Sequence, residues 1–357
     1  MRLRLVISLI FFSFFSLTTL YGIGIGKDNF SFFKKQLIWF LIGFSIFIIL
    51  KNTFPWTWIK TNQNFSILIY LISILLLIGV LIFGKRVHHC KSWLSFFGLD
   101  FQPVEFAKLG LILCLGKYFS LRHIEISRIT NLIFSAFYFL IPFGLVLLQP
   151  DLGSAMILFF IWFGLTIASG IKTKHFLTIC LIIVVLFIFS WHHFLKEYQK
   201  QRIITFLHPE EEPLGYGYQS IQSKIAIGEG GWFGKGLGKG TQIMFGFLPQ
   251  PHSDFIFASI ANSFGLLGVG LVLGAYFLFF SYLINLAKRI SGNLEKFFIL
   301  GYLLMVFSHF IIHIGANLGA LPITGVSLPF LSYGGSNLII NFLFLGIIES
   351  FSSRLHL

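Results

Sequence analysis

Carboxylates are scarce in this 357-residue chain, which holds only 13 Asp and Glu. Charged residues make up 11% of it, where a soluble domain carries roughly a quarter, so a soluble globular protein is excluded. The three cysteines, Cys90, Cys114 and Cys180, are too few and too scattered for a disulfide framework or a metal cluster. Cys114 and Cys180 lie inside apolar runs and act there as small hydrophobes. No Walker loop and no dinucleotide fingerprint occurs. The Gly-rich run Gly228–Gly236 falls in a long loop, not between a strand and a helix. No internal repeat is visible, which weakens an inverted-repeat transporter. His88-His89-Cys90 lacks the further ligands that a metal ion needs.

Apolar residues are what the chain has in excess, at 56%. A helical span needs about 20 mostly apolar residues. Ten such runs are predicted, at 5–25, 36–50, 65–83, 104–120, 132–148, 154–170, 176–194, 262–286, 297–316 and 337–352. The expected fold is an all-α polytopic membrane protein, a single domain over residues 1–357. It has about ten transmembrane helices and a long extracytoplasmic loop, 195–253, between spans 7 and 8. The first run is long, and Tyr21-Gly22-Ile23-Gly24 offers no clean cleavage site, so it reads as a retained span. The 26 Lys and Arg give a formal charge of +13. They are spread among apolar runs, which favours lipid headgroups, anionic lipid substrates and topology signals over nucleic acid. One side collects Arg2, Arg4, Lys51, Lys60, Arg122, Arg128, Lys172, Lys174, Lys288, Arg289, Lys296 and Arg354, twelve in all. The other collects six: Lys27, Lys34, Lys35, Lys85, Arg86 and Lys91. The positive-inside rule then puts both termini in the cytoplasm.

Ionisable groups in or beside spans are costly, so each is a functional candidate. Position narrows the carboxylates to Glu105, Asp151 and Asp254. Pro103 suits the first turn of a helix, and Glu105 and Lys108, three apart, share a face and can pair. That pair is either functional or a self-neutralising device for insertion. Asp151 sits in a tight turn as a helix cap. Asp254 ends the long loop and opens an apolar helix. It is either an N-cap or a carboxylate at the water–lipid boundary, where partial desolvation would suit a general base. Ser332-Tyr333-Gly334-Gly335 either presents backbone N–H groups to an anion or packs tightly before the last span. Basic residues on this face, Lys224 and Arg202 among them, either form a solvated loop surface or hold a pyrophosphate.

Together these stretches resemble the SEDS family of bacteria, the shape, elongation, division and sporulation proteins. The resemblance covers essentially the whole chain and is strongest in Arg202–Pro209 (RIITFLHP), Pro213–Gly236, His252–Ala258 and Gly319–Gly335. Within the family, Gln222–Gly228 and Gly240-Thr241-Gln242 resemble the elongation branch more than the division branch. The resemblance implies a peptidoglycan glycosyltransferase that polymerises lipid II outside the cytoplasmic (inner) membrane. It also implies a class B penicillin-binding protein as transpeptidase partner, within the elongation machinery. Asp254 falls on the family's essential aspartate, and Glu105, Lys108, Arg202 and the Ser332–Gly335 turn on its other functional positions. His313 stands where Asn is usual, Asn337 where a small residue is usual, and Val104 where Ser is usual. Asn262-Ser263 replaces a usual acidic pair.

The implied reaction is attack by a sugar 4-hydroxyl on the anomeric carbon of another lipid-linked chain, with inversion. Asp254 is the expected base. Lys108, Arg202 and nearby basic groups, or a divalent cation, would carry the pyrophosphate charge. A lipid II flippase and a non-catalytic scaffold for the penicillin-binding protein are the alternatives. A flippase would place polar groups at several depths and on both faces.

Overall fold

A computed structural model describes residues 2–87, 90–96, 99–122, 129–193, 200, 204–206, 215 and 217–352. A long helix stands at each of the ten predicted spans. In chain order these are α1 (Arg2–Lys27), α2 (Ser31–Thr53), α4 (Gln63–Phe83), α5 (Pro103–Leu121), α6 (Ile129–Leu148), α7 (Leu152–Ala168), α8 (Thr173–His193), α11 (Ile256–Arg289), α12 (Asn293–Asn317) and α13 (Gly335–Ser352). Short helices α3 (Trp56–Thr61), α9 (Tyr218–Gly230) and α10 (Thr241–Met244) lie in connectors. Among the described residues, seven helices are both long and apolar enough to cross a membrane. Of the other three, α7 has 17 residues, α5 carries Glu105, Lys108 and Lys117, and α8 is counted as apolar over Thr173–Ile182. The chain is a multi-pass membrane protein.

One element departs from the all-helical expectation. Strands β1 (Lys85–Val87), β2 (Cys90–Phe96) and β3 (Leu99–Phe101) form a small antiparallel sheet in the order β1-β2-β3. In β2, Ser92 and Leu94 are buried while Lys91, Trp93 and Ser95 are half-buried. That alternation of period two is the signature of a strand with one covered face, too short to show in a search for 20-residue runs.

The helices sort their residues by the logic of lipid. Large aliphatic groups on α2, α4 and α6, such as Leu41, Leu75 and Phe137, stay exposed on the outer faces. Small and polar groups turn inward. Helix α5 runs through the middle of the bundle, packed by α4, α6, α7, α12 and α13, and even Glu105 and Lys108 are buried in it. Gly301 of α12 lets Ile112 of α5 approach, and Gly43 of α2 does the same for Phe342 of α13.

Contacts divide the helix ends between two faces. The loop face holds the sheet, α9, α10 and the segments before α11 and α13. The termini face holds the start of α1 and the end of α13, where Arg2 pairs with Glu349 at 3.3 Å. It also holds Glu295, paired with Lys60 at 2.8 Å. Between the two faces aromatic rings follow one another, the first pair stacked and the next two tilted. Tyr302 meets Phe344 at 4.7 Å, Phe344 meets Phe298 at 5.4 Å, and Phe298 meets Trp56 at 5.5 Å.

Helix α11 starts six residues before the predicted span and is broken at Gly265, whose φ of 67° and ψ of −163° are not helical. A break inside an apolar helix strands backbone groups that lipid cannot satisfy. The turn after α9 satisfies them. Lys235 N donates to Asn262 O at 2.9 Å and Gly236 N to Ser263 O at 3.1 Å. Leu266 N donates to Gly231 O at 2.8 Å and Leu267 N to Trp232 O at 3.2 Å. A Cβ at residue 265 would run into the backbone of Trp232 to Gly234. Gly265→Ala is therefore expected to destabilise the protein by more than about 1 kcal/mol. Thermal unfolding in detergent would show this, and an unchanged midpoint would mean that the turn can give way.

Candidate active site

Helix α5 begins with Pro103 at its first position and Glu105 in its first turn, where the helix dipole favours a carboxylate. Lys108 follows one turn later and is wholly buried. Its ammonium lies 2.7 Å from Glu105 Oε1 and 2.9 Å from His309 Nε2 on α12. His309 Nδ1 lies 2.8 Å from Ser327 O. A carbonyl only accepts, so Nδ1 carries the proton and Nε2 accepts from Lys108. On the other side, Asn337 Nδ2 donates to Glu105 Oε2 at 3.2 Å. Asn341 Nδ2 donates to Asn337 Oδ1 at 3.1 Å, and Tyr302 OH to Asn341 Oδ1 at 3.0 Å. The departure at Asn337 thus has a local reason, because its amide answers the second oxygen of Glu105.

Asp254 stands at the end of the loop before α11, and its backbone is fixed by Asn317. Asn317 Nδ2 donates to Asp254 O at 2.9 Å, and Ala258 N donates to Asn317 Oδ1 at 3.1 Å. Residues 309, 313 and 317 recur every four positions, so they form one face of α12. That face holds the irregular chain beside it, since His313 Nδ1 lies 2.7 Å from Val326 O. Asp254 and His313 line a small cleft with Ile312, Ala316, Ile323, Thr324, Gly325 and Val326. Ser223 Oγ donates to Asn317 O at 2.8 Å, which docks α9 at the cleft. The neighbouring Lys224 is exposed and lies across Gly319.

The Ser332–Gly335 turn is tied to the same region. Ser332 Oγ donates to Ser253 O and accepts from Leu328 N, both at 2.8 Å. Tyr333 N donates to His252 O at 2.8 Å, and Gly334 N to Gln36 Oε1 at 3.3 Å. These donors are engaged within the protein and lock the residues just before Asp254. Phe32 stacks on His252 at 3.9 Å and meets Tyr333 edge-on at 5.0 Å. Burial, and then the nearby charge of Lys27, pull the His252 imidazole down from 6.5 to about 4.

The candidates read from the sequence fall into groups. Glu105 and Lys108 form one buried pair, Asp254 with the Ser332–Gly335 turn forms a second group, and Lys224 stands at the rim. Arg202 lies outside the described residues. Asp151 caps α7 through Ser154 N at 3.0 Å and Ser154 Oγ at 2.8 Å. Asn262, in place of an acidic residue, donates to Glu229 Oε2 at 3.0 Å, where a second carboxylate would repel. His309, Asn317 and Gln36 were not singled out from the sequence, although a polar side chain every four residues in an apolar helix was a readable signal. Among the described residues, no three His, Cys, Asp or Glu side chains are grouped to hold a metal ion. The described donor set does not fit a divalent cation.

Two measurements follow from this geometry. Lys108→Met strands the buried Glu105 charge and is expected to cost roughly 3–5 kcal/mol. Adding Glu105→Gln should restore most of the thermal stability, and a double variant as unstable as the single would disprove the pairing. His252 is held neutral in the fold, so its contribution is complete above about 6.5 and is lost as pH falls toward about 4. There the unfolded chain binds a proton that the folded chain refuses. His252→Phe should flatten that acid slope in unfolding curves, and an unaltered slope would assign the lability to another group.

Residues 1–356 match the family of cell cycle proteins FtsW, RodA and SpoVE. The chain is 34% identical over 310 residues to the peptidoglycan glycosyltransferase MrdB of Escherichia coli (strain K12), covering 87% of this chain and 82% of that one. It is 34% identical over 338 residues to the stage V sporulation protein E of Bacillus subtilis (strain 168), covering 91% and 88%. A chain from a peptidoglycan synthase complex that coordinates polymerisation and crosslinking superposes with a TM-score of 0.82 at 30% identity, covering 97% of both. The rod shape determining protein RodA of Thermus thermophilus superposes with a TM-score of 0.71 at 26% identity, covering 97% of this chain and 96% of that one. Over residues 1–356 the chain belongs to the FtsW, RodA and SpoVE family of cell cycle proteins.

Proposed function

We infer that this protein is a peptidoglycan glycosyltransferase, polymerising lipid II into glycan strands at the outer face of the bacterial cytoplasmic membrane. The observation that carries the inference is a single carboxylate, Asp254, at a cleft on the loop face of a membrane bundle. That bundle superposes on a chain of a peptidoglycan synthase complex that coordinates polymerisation and crosslinking. Relatives named peptidoglycan glycosyltransferase, from Escherichia coli and Haemophilus influenzae, support it. The loop face is the outer one and both termini are cytoplasmic, in line with the excess of Lys and Arg at the termini face. A class B penicillin-binding protein is the partner, within the elongation machinery; the peptidoglycan synthase complex that contributes a superposing chain couples polymerisation with crosslinking, which supports such a partner.

The chemistry needs one base and a means of carrying a departing pyrophosphate. Asp254 takes the proton of the attacking 4-hydroxyl. The new bond forms at the anomeric carbon, and the bond to the pyrophosphate oxygen breaks on the opposite side, so the centre inverts. Lys224 at the rim and Arg202 meet the departing charge. Lys108, wholly buried against Glu105 and His309, acts by holding the frame around the cleft. The exposed apolar helix faces hold the prenyl tails. Buried charges also occur at the termini face, but the rings of Tyr302, Phe344 and Phe298 stand between the two polar layers. A site open to one face supports a polymerase over a flippase.

The purified protein with its partner is expected to polymerise lipid II in detergent, where no barrier has to be crossed. Asp254→Asn should lower the rate by about 10²-fold or more while leaving thermal unfolding unchanged. Polymer formation by that variant at the parental rate would remove the base assignment. No polymer from the parent protein would return the flippase and scaffold to consideration.

A further inference from the structure

The turn after α9 and the short helix α10 lie in the long polar loop, yet they carry large bare aromatic rings. Trp232 is 67% exposed, Phe233 80% and Phe245 63%, and Met244 and Phe247 are exposed beside them. Lys235 and Lys239 are exposed in the same stretch. Helix α11 fixes the level at which this stretch sits. Every residue from Ile256 to Ser263 is buried. Past Gly265 the pattern changes, and Leu266, Leu267, Leu271 and Phe277 are exposed. Apolar side chains left bare on a span face acyl chains, so lipid meets α11 from Gly265 onward. From Gly265 to its end at Arg289 the helix runs about 36 Å, a little more than a hydrocarbon core of about 30 Å. The break therefore stands at the edge of the hydrocarbon. The first two lipid-facing residues, Leu266 and Leu267, donate N–H to Gly231 O and Trp232 O, which holds the turn at that same edge. Helix α1 places the rest of the stretch. Gly22 packs on Leu237, and Gly26 on Gly238 and Met244, beside the exposed Tyr21 and Ile25.

We propose that residues 231–247 are seated in the bilayer leaflet on the loop face, with Trp232, Phe233, Phe245 and Phe247 entering the acyl chains and Lys235 and Lys239 meeting lipid phosphates. The occupant of this surface is lipid, because the stretch continues the lipid-facing surfaces of α1 and α11 that flank it. Aromatic rings on the apolar side and lysines on the wet side are the make-up of an interfacial segment. The backbone is fit for that place. Lys235 N and Gly236 N donate to Asn262 O and Ser263 O, while Gly231 O and Trp232 O accept from α11, so few bare polar groups are carried to the hydrocarbon. The seat is coupled to the cleft. Glu229 at the end of α9 accepts from Thr241 Oγ at 2.7 Å and from Asn262 Nδ2 at 3.0 Å. Ser223 of the same helix docks on Asn317 O, and Asn317 holds Asp254 O. Helix α9 is thus clamped between the lipid-seated stretch and the residue that fixes the Asp254 backbone. The seat is independent of the glycosyltransferase reading and of which leaflet is the outer one.

The test is depth-resolved fluorescence quenching of the full chain, without any partner, in nanodiscs of phosphatidylcholine and phosphatidylglycerol. The phosphatidylcholine is brominated either in the upper part of its acyl chains or near their ends. The signal of the parent protein less that of Trp232→Phe isolates Trp232. A ring seated roughly 5–10 Å into the headgroup–acyl boundary should lose most of its light to the upper bromines and less to the deep ones. Iodide in the water should quench it little. Phe245→Trp in the Trp232→Phe background moves the probe to the α10 end of the stretch, and the same order is expected there. Light from Trp232 that iodide quenches and neither brominated lipid touches would overturn the seat, as the turn would then face water. Shielding from all three quenchers would also overturn it and give the surface to protein contact between copies. Should Trp232→Phe fail to fold, Phe245→Trp in the parent, read as the added light, decides alone.

Discussion

A lysine ammonium sealed inside an apolar bundle has to be answered where it stands. Lys108 has no water to turn to, so Glu105 supplies the counter-charge and His309 a lone pair. Glu105 in turn needs Asn337, and Asn337 needs Asn341 and Tyr302. One buried charge thus sets the relative height and rotation of α5, α12 and α13. Such a pair adds little net stability, because desolvation offsets most of the attraction. What it provides is register: a helix that slipped by one turn would leave a charge in hydrocarbon.

A second constraint is irregular backbone at membrane depth. The chain from Leu321 to Pro329 cannot be helical, with two prolines and Gly325 at a φ of 72°. Its carbonyls need donors, and the face of α12 carrying His309, His313 and Asn317 supplies them. Asn317 reaches further, to Asp254 O and Ala258 N, so the same face that satisfies the irregular chain also places the candidate base. The break at Gly265 is answered from the other side by the turn after α9.

The spans were legible because hydropathy over about 20 residues is a strong local signal. The Glu105–Lys108 pair was legible because three positions apart on a helix means one face. Asp254 was legible by position, at the junction of polar loop and apolar run, and by resemblance. The rest was not, for reasons of distance in the chain. His309 lies 201 residues from Lys108 and Asn337 lies 232 from Glu105, and no local pattern announces such partners. Asn337 and His313 appeared only as departures from a family pattern, and their geometry ties them to Glu105 and to Val326 O. The break at Gly265 sits in an unbroken apolar run, where one glycine among many carries no signal. The sheet at 85–101 was too short for a search tuned to spans.

The aromatic stack between the two polar layers has an electrical consequence. A bacterial membrane carries a potential, and each elementary charge moved across it changes energy by about 2.3 kcal/mol per 100 mV. A buried lysine, a carboxylate and two histidines near one face are the ingredients of a proton wire. Tyr302, Phe344 and Phe298 interrupt it, since two of the three rings hold no ionisable group and the third is a phenol bonded to Asn341. The buried ionisable groups of the loop face are thus set apart from those of the termini face by rings of low polarity.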